Sequence, residues 1–293
     1  MDVVIVSEVP PFQQGAKSLR PGDTIRQLLL MDDAPDGFNF RLVTAKFLSG
    51  EGAYESPRHH HAFQQIRWAA SGNINYGQGQ NIPEGDLAYF PRGAYYGPQR
   101  KEAGLSFTLQ FGFDGEHLSG PKYDSTRDLA VDRLKARGKI EKGVFVEVDP
   151  ATGEKREDDV AQALYEEQFA IHRKNQKFVV PPEGYDAPIL MHPRAFDYYE
   201  AGPGVELKHL GHFFDHAGPN ADLRISMIRL SKGGSYRLGP ERAQLGWTTS
   251  VGLQVGGRTY PEMTCFYSRR GEDISLSGPD VMEIYLIEFP RLD

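Results

Sequence analysis

The chain has 293 residues, a formal net charge of −7 and one cysteine, Cys265. The acidic balance leaves no basic stripe to displace counterions from phosphates, which argues against a nucleic-acid partner. The lone cysteine excludes an internal disulfide framework and suits a reducing, cytoplasmic compartment, while no stretch approaches the ~20 apolar residues that cross a bilayer.

At this length about two domains are expected. The N-terminal stretch Met1-Asp2-Val3-Val4-Ile5-Val6 lacks a basic region and is too short an apolar run for a signal peptide. Short apolar or alternating runs at Leu42 to Leu48, Ile66 to Tyr76, Leu87 to Phe90 and Leu105 to Phe113 predict strands. Ser71-Gly72-Asn73 and Ile82-Pro83-Glu84-Gly85 punctuate them as turns. Ahead of the second run stands His59-His60-His61. On a strand successive side chains alternate, so His59 and His61 project together, His60 faces away, and Phe63 and Gln65 follow on the His59 face. Two imidazoles so placed form half of a first-row metal site. Gly85 to Gly93 then reads as turn, strand, turn, ending just before Tyr96.

Residues 114–185 differ in composition and predict a mixed connector. Ser125 is placed to cap a helix from Thr126 towards Ala136, stopped by Gly138. Val144 to Val148 predicts a strand, Asp149-Pro150-Ala151-Thr152-Gly153 a turn, and Asp158 to His172 an amphipathic helix. The C-terminal part again reads as β and ends on a strand at Met282 to Phe289.

The sequence repeats itself at a shift of 182. Pro21-Gly22 faces Pro203-Gly204, Leu48-Ser49 faces Leu230-Ser231, and Gly52-Ala53-Tyr54 faces Gly234-Ser235-Tyr236. A period this long signals two copies of one domain rather than a solenoid, whose repeats are ~20–50 residues. A gap becomes necessary where Gly72 meets Gly252. Domains are therefore expected at 1–113 and 186–293, joined by the connector at 114–185.

The histidine and glycine–proline segments resemble the paired motifs of the cupin superfamily. The first family motif, His-x-His followed by Glu and Gly, falls on His59, His61, Gln65 and Gly72. The second, Gly, Pro-x-Gly and then His, falls on Gly85, Pro91, Gly93 and Tyr96. Gln65 stands for Glu and Tyr96 for His, so two of four ligand positions depart from the pattern. The resemblance implies an all-β fold of two cupin-type double-stranded β-helix (jelly-roll) barrels with an α/β connector, a bicupin. It also implies a divalent first-row transition metal (Fe, Mn, Ni or Zn) at His59, His61, Gln65 and Tyr96. Tyr96 or Gln65 would move the proton.

In the second copy the 182 shift places Glu241 opposite His59, Ala243 opposite His61 and Trp247 opposite Gln65, with room for a slip of two or three residues. No slip restores His-x-His, so the C-terminal barrel is expected to be degenerate, plugged by Trp247 or its neighbours. A rival cluster, His209, His212 and His216, has helical spacing but falls in a segment expected to be a strand, where the faces disagree. The implied function is a metal-dependent bicupin enzyme acting on a small oxygen-chelating substrate, dioxygenase-like before lyase or isomerase. The alternative is a non-catalytic cupin that binds a small metabolite or serves as an assembly module. A small-molecule substrate is the expected partner, with no nucleic acid or membrane, and a homodimer is compatible.

Overall fold

The computed structural model describes residues 1–13, 19–32, 39–61, 63–111, 125–174, 185–213 and 222–290. Alternating side-chain burial explains the strands. In Leu223–Leu230 the side chains of Leu223, Ile225, Met227 and Leu230 are buried, with Arg224, Ser226 and Arg229 less so. Two seven-stranded sheets result. One runs Ile189–Met191, Leu87–Phe90, Gln64–Ser71, Gly104–Phe111, Phe40–Phe47, Thr24–Asp32, Phe12–Gln13. The other runs Asp2–Ile5, Thr264–Ser268, Gln244–Thr248, Met282–Glu288, Leu223–Leu230, Val205–Phe213, Tyr199–Gly202.

Smaller sheets accompany them. In the N-terminal copy Glu55–Ser56 pairs with Gln99–Arg100, and Ile74–Gly77 with Gln80–Ile82. In the C-terminal copy Ser235–Leu238, Ile274–Ser277, Leu253–Val255 and Arg258–Tyr260 form one four-stranded sheet. The fold is all-β, two cupin-type jelly-roll barrels with an α/β connector, as the motifs imply. Ile66 to Tyr76, read as one run, is two strands broken at Gly72, whose φ of 69° suits glycine. A Cβ there would also lie 2.7 Å from the Ala103 carbonyl oxygen.

The chain divides into two compact units. One comprises residues 12–26 and 44–190; the other comprises 1–11, 27–43 and 191–293. The expected boundaries at 113 and 186 follow chain order, whereas strand pairing does not. Asp2–Ile5 pairs antiparallel with Thr264 to Tyr267 in the C-terminal sheet, and Ile189–Met191 lies at the edge of the N-terminal one.

The connector is a three-stranded antiparallel meander, Gly138–Glu141, Val144–Val148 and Lys155–Asp159, with two helices. The first helix, Arg127–Arg137, starts at Thr126 rather than Ser125 and has no side-chain cap, because the Thr126 hydroxyl bonds His172 Nε2 at 3.1 Å. It stops at Gly138, whose extended backbone opens the strand Gly138–Glu141, and a Cβ there would meet the Val146 carbonyl oxygen at 2.3 Å. The second helix, Val160–His172, is capped by Asp159, whose carboxylate accepts from the Ala161 and Gln162 amides at 3.1 Å each. Ala130, Leu134, Phe145, Ala163 and Leu164 form the core between these elements.

Candidate active site in the N-terminal barrel

Backbone pairing joins the two motifs. The His59 amide donates to the Tyr96 carbonyl and the Tyr96 amide to the His59 carbonyl, both at 2.9 Å. The Gly93 amide donates to the His61 carbonyl at 2.8 Å, and its φ of 79° makes the turn that allows this. Directly opposed residues bring their side chains together. The rings of His59 and Tyr96 lie 4.4 Å apart between centroids, those of His59 and His61 5.0 Å, and His61 stacks on Phe63 at 4.5 Å. His60 turns elsewhere, stacking on Tyr95 at 4.2 Å. The predicted alternation therefore places His59, His61 and Phe63 together and His60 apart, although His59 and His61 lie beside the regular strand rather than within it.

Gln65 completes the group. Its Nε2 donates to the Tyr96 hydroxyl at 2.8 Å, and its Oε1 accepts from Gln110 Nε2 at 3.3 Å across the sheet. Arg67, two residues on and so on the same face, donates to Gln65 Oε1 at 3.2 Å, to the Tyr96 hydroxyl at 3.0 Å and to Gln99 Oε1 at 3.3 Å. Its guanidinium stands over the Phe90 ring at 4.4 Å. The structure thus brings His59, His61, Gln65 and Tyr96 together. It adds Arg67, Gln99 and Gln110, which the motif comparison missed. The overlooked signal was an arginine on the inward stripe of a strand.

The residues present can be tested for a metal. His59 Nδ1 lies 2.7 Å from the Pro57 carbonyl, which can only accept, so Nδ1 carries the proton and Nε2 keeps its lone pair. A ring fixed this way has the form that metal-ligating histidines take. Burial holds both imidazoles well below the usual histidine range, helped at His59 by the field of Arg20 and at His61 by His59 and then Arg20. Neutral imidazoles fit a metal as two ligands. Gln65 and Tyr96 fit as outer groups rather than ligands, because their oxygens already accept from Arg67. Burial also lifts the Tyr96 phenol above its usual range, against the opposing field of Arg67, which keeps it protonated. Among the described residues no three His, Cys, Asp or Glu side chains converge as a ligand set.

The C-terminal copy is filled at the matching place. Trp247 lies across from Cys265 and Tyr285, as Trp68 lies across from Leu87 and Phe107. The repeat has therefore slipped by three, and the counterpart of Trp247 is Trp68, not Gln65. Gln65, paired with Phe90 and Gln110, corresponds to Gln244, paired with Ser268 and Glu288. The His59–Tyr96 pair corresponds to Leu238–Ile274, and the His61–Gly93 bond to the Pro240–Gly271 bond. Leu238 is fully buried in an apolar cluster with Leu230, Phe266 and Leu286, against which Ile274 packs. Trp247, expected as the plug, instead stacks on Tyr285 at 5.0 Å.

His209 and His212 come closer than strand alternation allows. A bulge between His209 and Gly211 brings their rings to 6.0 Å, with His209 Nδ1 3.3 Å from Ser226 Oγ and His212 Nε2 bonded to Asp222. His216, the third member, lies outside the described residues.

No protein-family model and no curated relative matches the sequence. Solved structures do match. A Nostoc punctiforme protein provisionally assigned as a dioxygenase superposes with a TM-score of 0.60 at 10% identity, over 99% of this chain and 82% of that one. A variant of Bacillus subtilis oxalate decarboxylase gives 0.55 at 12% identity over 99% and 77%. The formate complex of Lactobacillus farciminis oxalate decarboxylase gives 0.54 at 12% over 99% and 86%. Both barrels and the connector thus fall within one two-barrel fold shared with these proteins.

Proposed function

We propose that the N-terminal barrel is the working site of a metal-dependent bicupin enzyme acting on a small organic substrate through its oxygen atoms, and that the C-terminal barrel is structural. The observation that carries this reading is the convergence of His59, His61, Gln65, Tyr96 and Arg67 on one interior wall, where the second copy has Leu238, Pro240 and Gly246. A divalent transition metal held by His59 Nε2 and His61 supplies, when bound, a Lewis acid for a substrate oxygen. Manganese is the chemistry of one structural neighbour, a B. subtilis oxalate decarboxylase described by its Mn(II) centres.

The remaining residues have separate tasks. The Tyr96 oxygen accepts from both Gln65 and Arg67, so its own proton is free for a substrate oxygen. Gln110 and Gln99 hold Gln65 and Arg67 in place. Phe63 and Phe90 supply apolar walls that keep water from the polar group. Oxygenation is the first reaction considered, and decarboxylation the next, since the neighbours include both kinds of protein.

Elemental analysis of untagged protein tests the metal. His59→Ala with His61→Ala should abolish bound metal, and His209→Ala should leave it. Metal retained in the double variant would overturn the reading. A second reading, non-catalytic metabolite binding, is favoured by the neutral Gln65 and Tyr96 at two ligand positions. Dioxygen uptake or carbon dioxide release in the presence of small hydroxy and keto acids separates the two.

A further inference from the structure

Three cations of the N-terminal barrel, Lys101 buried and Arg26 and Arg67 partly buried, have no carboxylate partner among the described residues. Arg67 donates only to the neutral oxygens of Gln65, Tyr96 and Gln99. Lys101, 3% exposed, donates to the Asn75 carbonyl and lies 5.1 Å from the centroid of the Phe47 ring. The hydrogen bond of Arg26 runs from Nε to Thr24 Oγ1 at 3.2 Å, and among the described residues its fork makes no other. A fourth cation, Arg20, is held by Asp159 and the Tyr54 hydroxyl. Arg20, Arg26 and Arg67 each act on Lys101, and the field of Arg20, Arg67 and Lys101 reaches His59.

Chains avoid this arrangement unless something balances it. A buried charge without a partner costs several kcal/mol, and an aromatic face recovers only ~0.5–2 kcal/mol of that. Among the described residues one carboxylate, Asp159, stands against the four cations, while Glu55 at the barrel surface is taken by the exposed Arg100. The position equivalent to Arg67 in the other barrel is Gly246, so the charge is not a requirement of the fold. The same field opposes a bare divalent cation at His59 and His61, and a bound anion relieves both problems.

We infer that the N-terminal barrel binds a small dicarboxylate, gripped by Arg26, Arg67 and Lys101. Planar guanidinium forks match carboxylates in two-point contact, and two negative charges leave the group of four cations and Asp159 near neutrality. The inference shares the barrel with the proposed enzyme site but does not require the metal.

The test uses the full chain after exhaustive dialysis against chelator, with malonate as the dianionic probe and malonamide as its neutral isostere. Malonate should raise Tm in a saturable way while malonamide does nothing. Arg26→Gln and Lys101→Met should each weaken malonate binding by about tenfold or more, the loss of one charge-assisted hydrogen bond. Both variants should keep the metal content of the parent, and the His59→Ala, His61→Ala variant should keep malonate binding. Failure of the metal reading and failure of the anion reading thus show in different proteins. An equal response to malonamide, an equal response to inorganic phosphate, or malonate binding untouched by Arg26→Gln and Lys101→Met would overturn the dicarboxylate assignment. If either variant fails to fold, malonate protection of the parent against urea, set against malonamide, decides the same point.

Discussion

Arg67 and Gly246 hold the same register position in the two barrels, Arg67 across from Ala88 and Gly246 across from Phe266. Large and small residues have changed places. In the first barrel the small Ala88 faces a guanidinium that spans Gln65, Tyr96 and Gln99. In the second the Phe266 ring covers the glycine so closely that a Cβ at position 246 would lie 2.3 Å from its Cζ. One exchange of volume thus separates a polar interior from an apolar one, and the dense packing of interiors leaves no intermediate.

Truncating Phe266 tests that division. Phe266→Ala removes a fully buried ring and should cost about 3–5 kcal/mol in urea unfolding. Metal content and malonate response should be unchanged in the folded fraction. Loss of either at full folding would show that the C-terminal barrel takes part in the site.

Much of this was legible in the chain. Gly85, Gly93 and Gly72 adopt φ of 88°, 79° and 69°, so the glycine framework marks turns that other residues fill poorly. Strand alternation placed His59, His61, Phe63 and Gln65 without reference to partners. Arg67 continues the same stripe, but the motif comparison stops at ligand positions and passes over it. Arg26 lies in the strand Thr24–Asp32 and Lys101 just beyond Gln99–Arg100, so only the tertiary fold relates them to Arg67. The pairing of Asp2–Ile5 with the C-terminal sheet is likewise set by long-range registry. The three-residue slip at Trp247 arose because the shift was carried across differing loops.

Asp159 links the connector to the barrel within one unit. Its carboxylate caps the helix Val160–His172 and also binds Arg20, which reaches Tyr54. Asp159→Ala removes the cap and strands a largely buried guanidinium, and should cost about 3–5 kcal/mol. Asp159→Asn keeps a good cap and should cost about 1 kcal/mol less. Equal unfolding midpoints for the two variants would rule out a capping contribution.

Cys265 should be silent in the native protein. The side chain is fully buried, and burial raises the thiol well above its usual range, so almost no thiolate exists at neutral pH. A disulfide reagent such as Ellman's should label it only after unfolding, at the unfolding rate. Fast labelling of folded protein would contradict the packing of the strand Thr264–Ser268.

Lys101 gives the barrel a specific pH signature. Burial, reinforced by Arg67, Arg20 and Arg26, holds its pKa well below the usual 10.5. The unfolded chain then binds the proton more tightly than the folded one, so the lysine's penalty is greatest on the acid side of this window. The penalty shrinks as pH climbs to the unfolded value, and stability rises with it. Lys101→Met removes the penalty and with it the bond to the Asn75 carbonyl, worth about 1 kcal/mol. The variant should therefore be more stable than the parent at pH 7, by an amount that narrows steadily towards pH 10. Urea unfolding of both proteins at pH 7, 8, 9 and 10 measures the gap. A gap that stays constant across this range would mean that Lys101 keeps an ordinary pKa and is balanced by a partner.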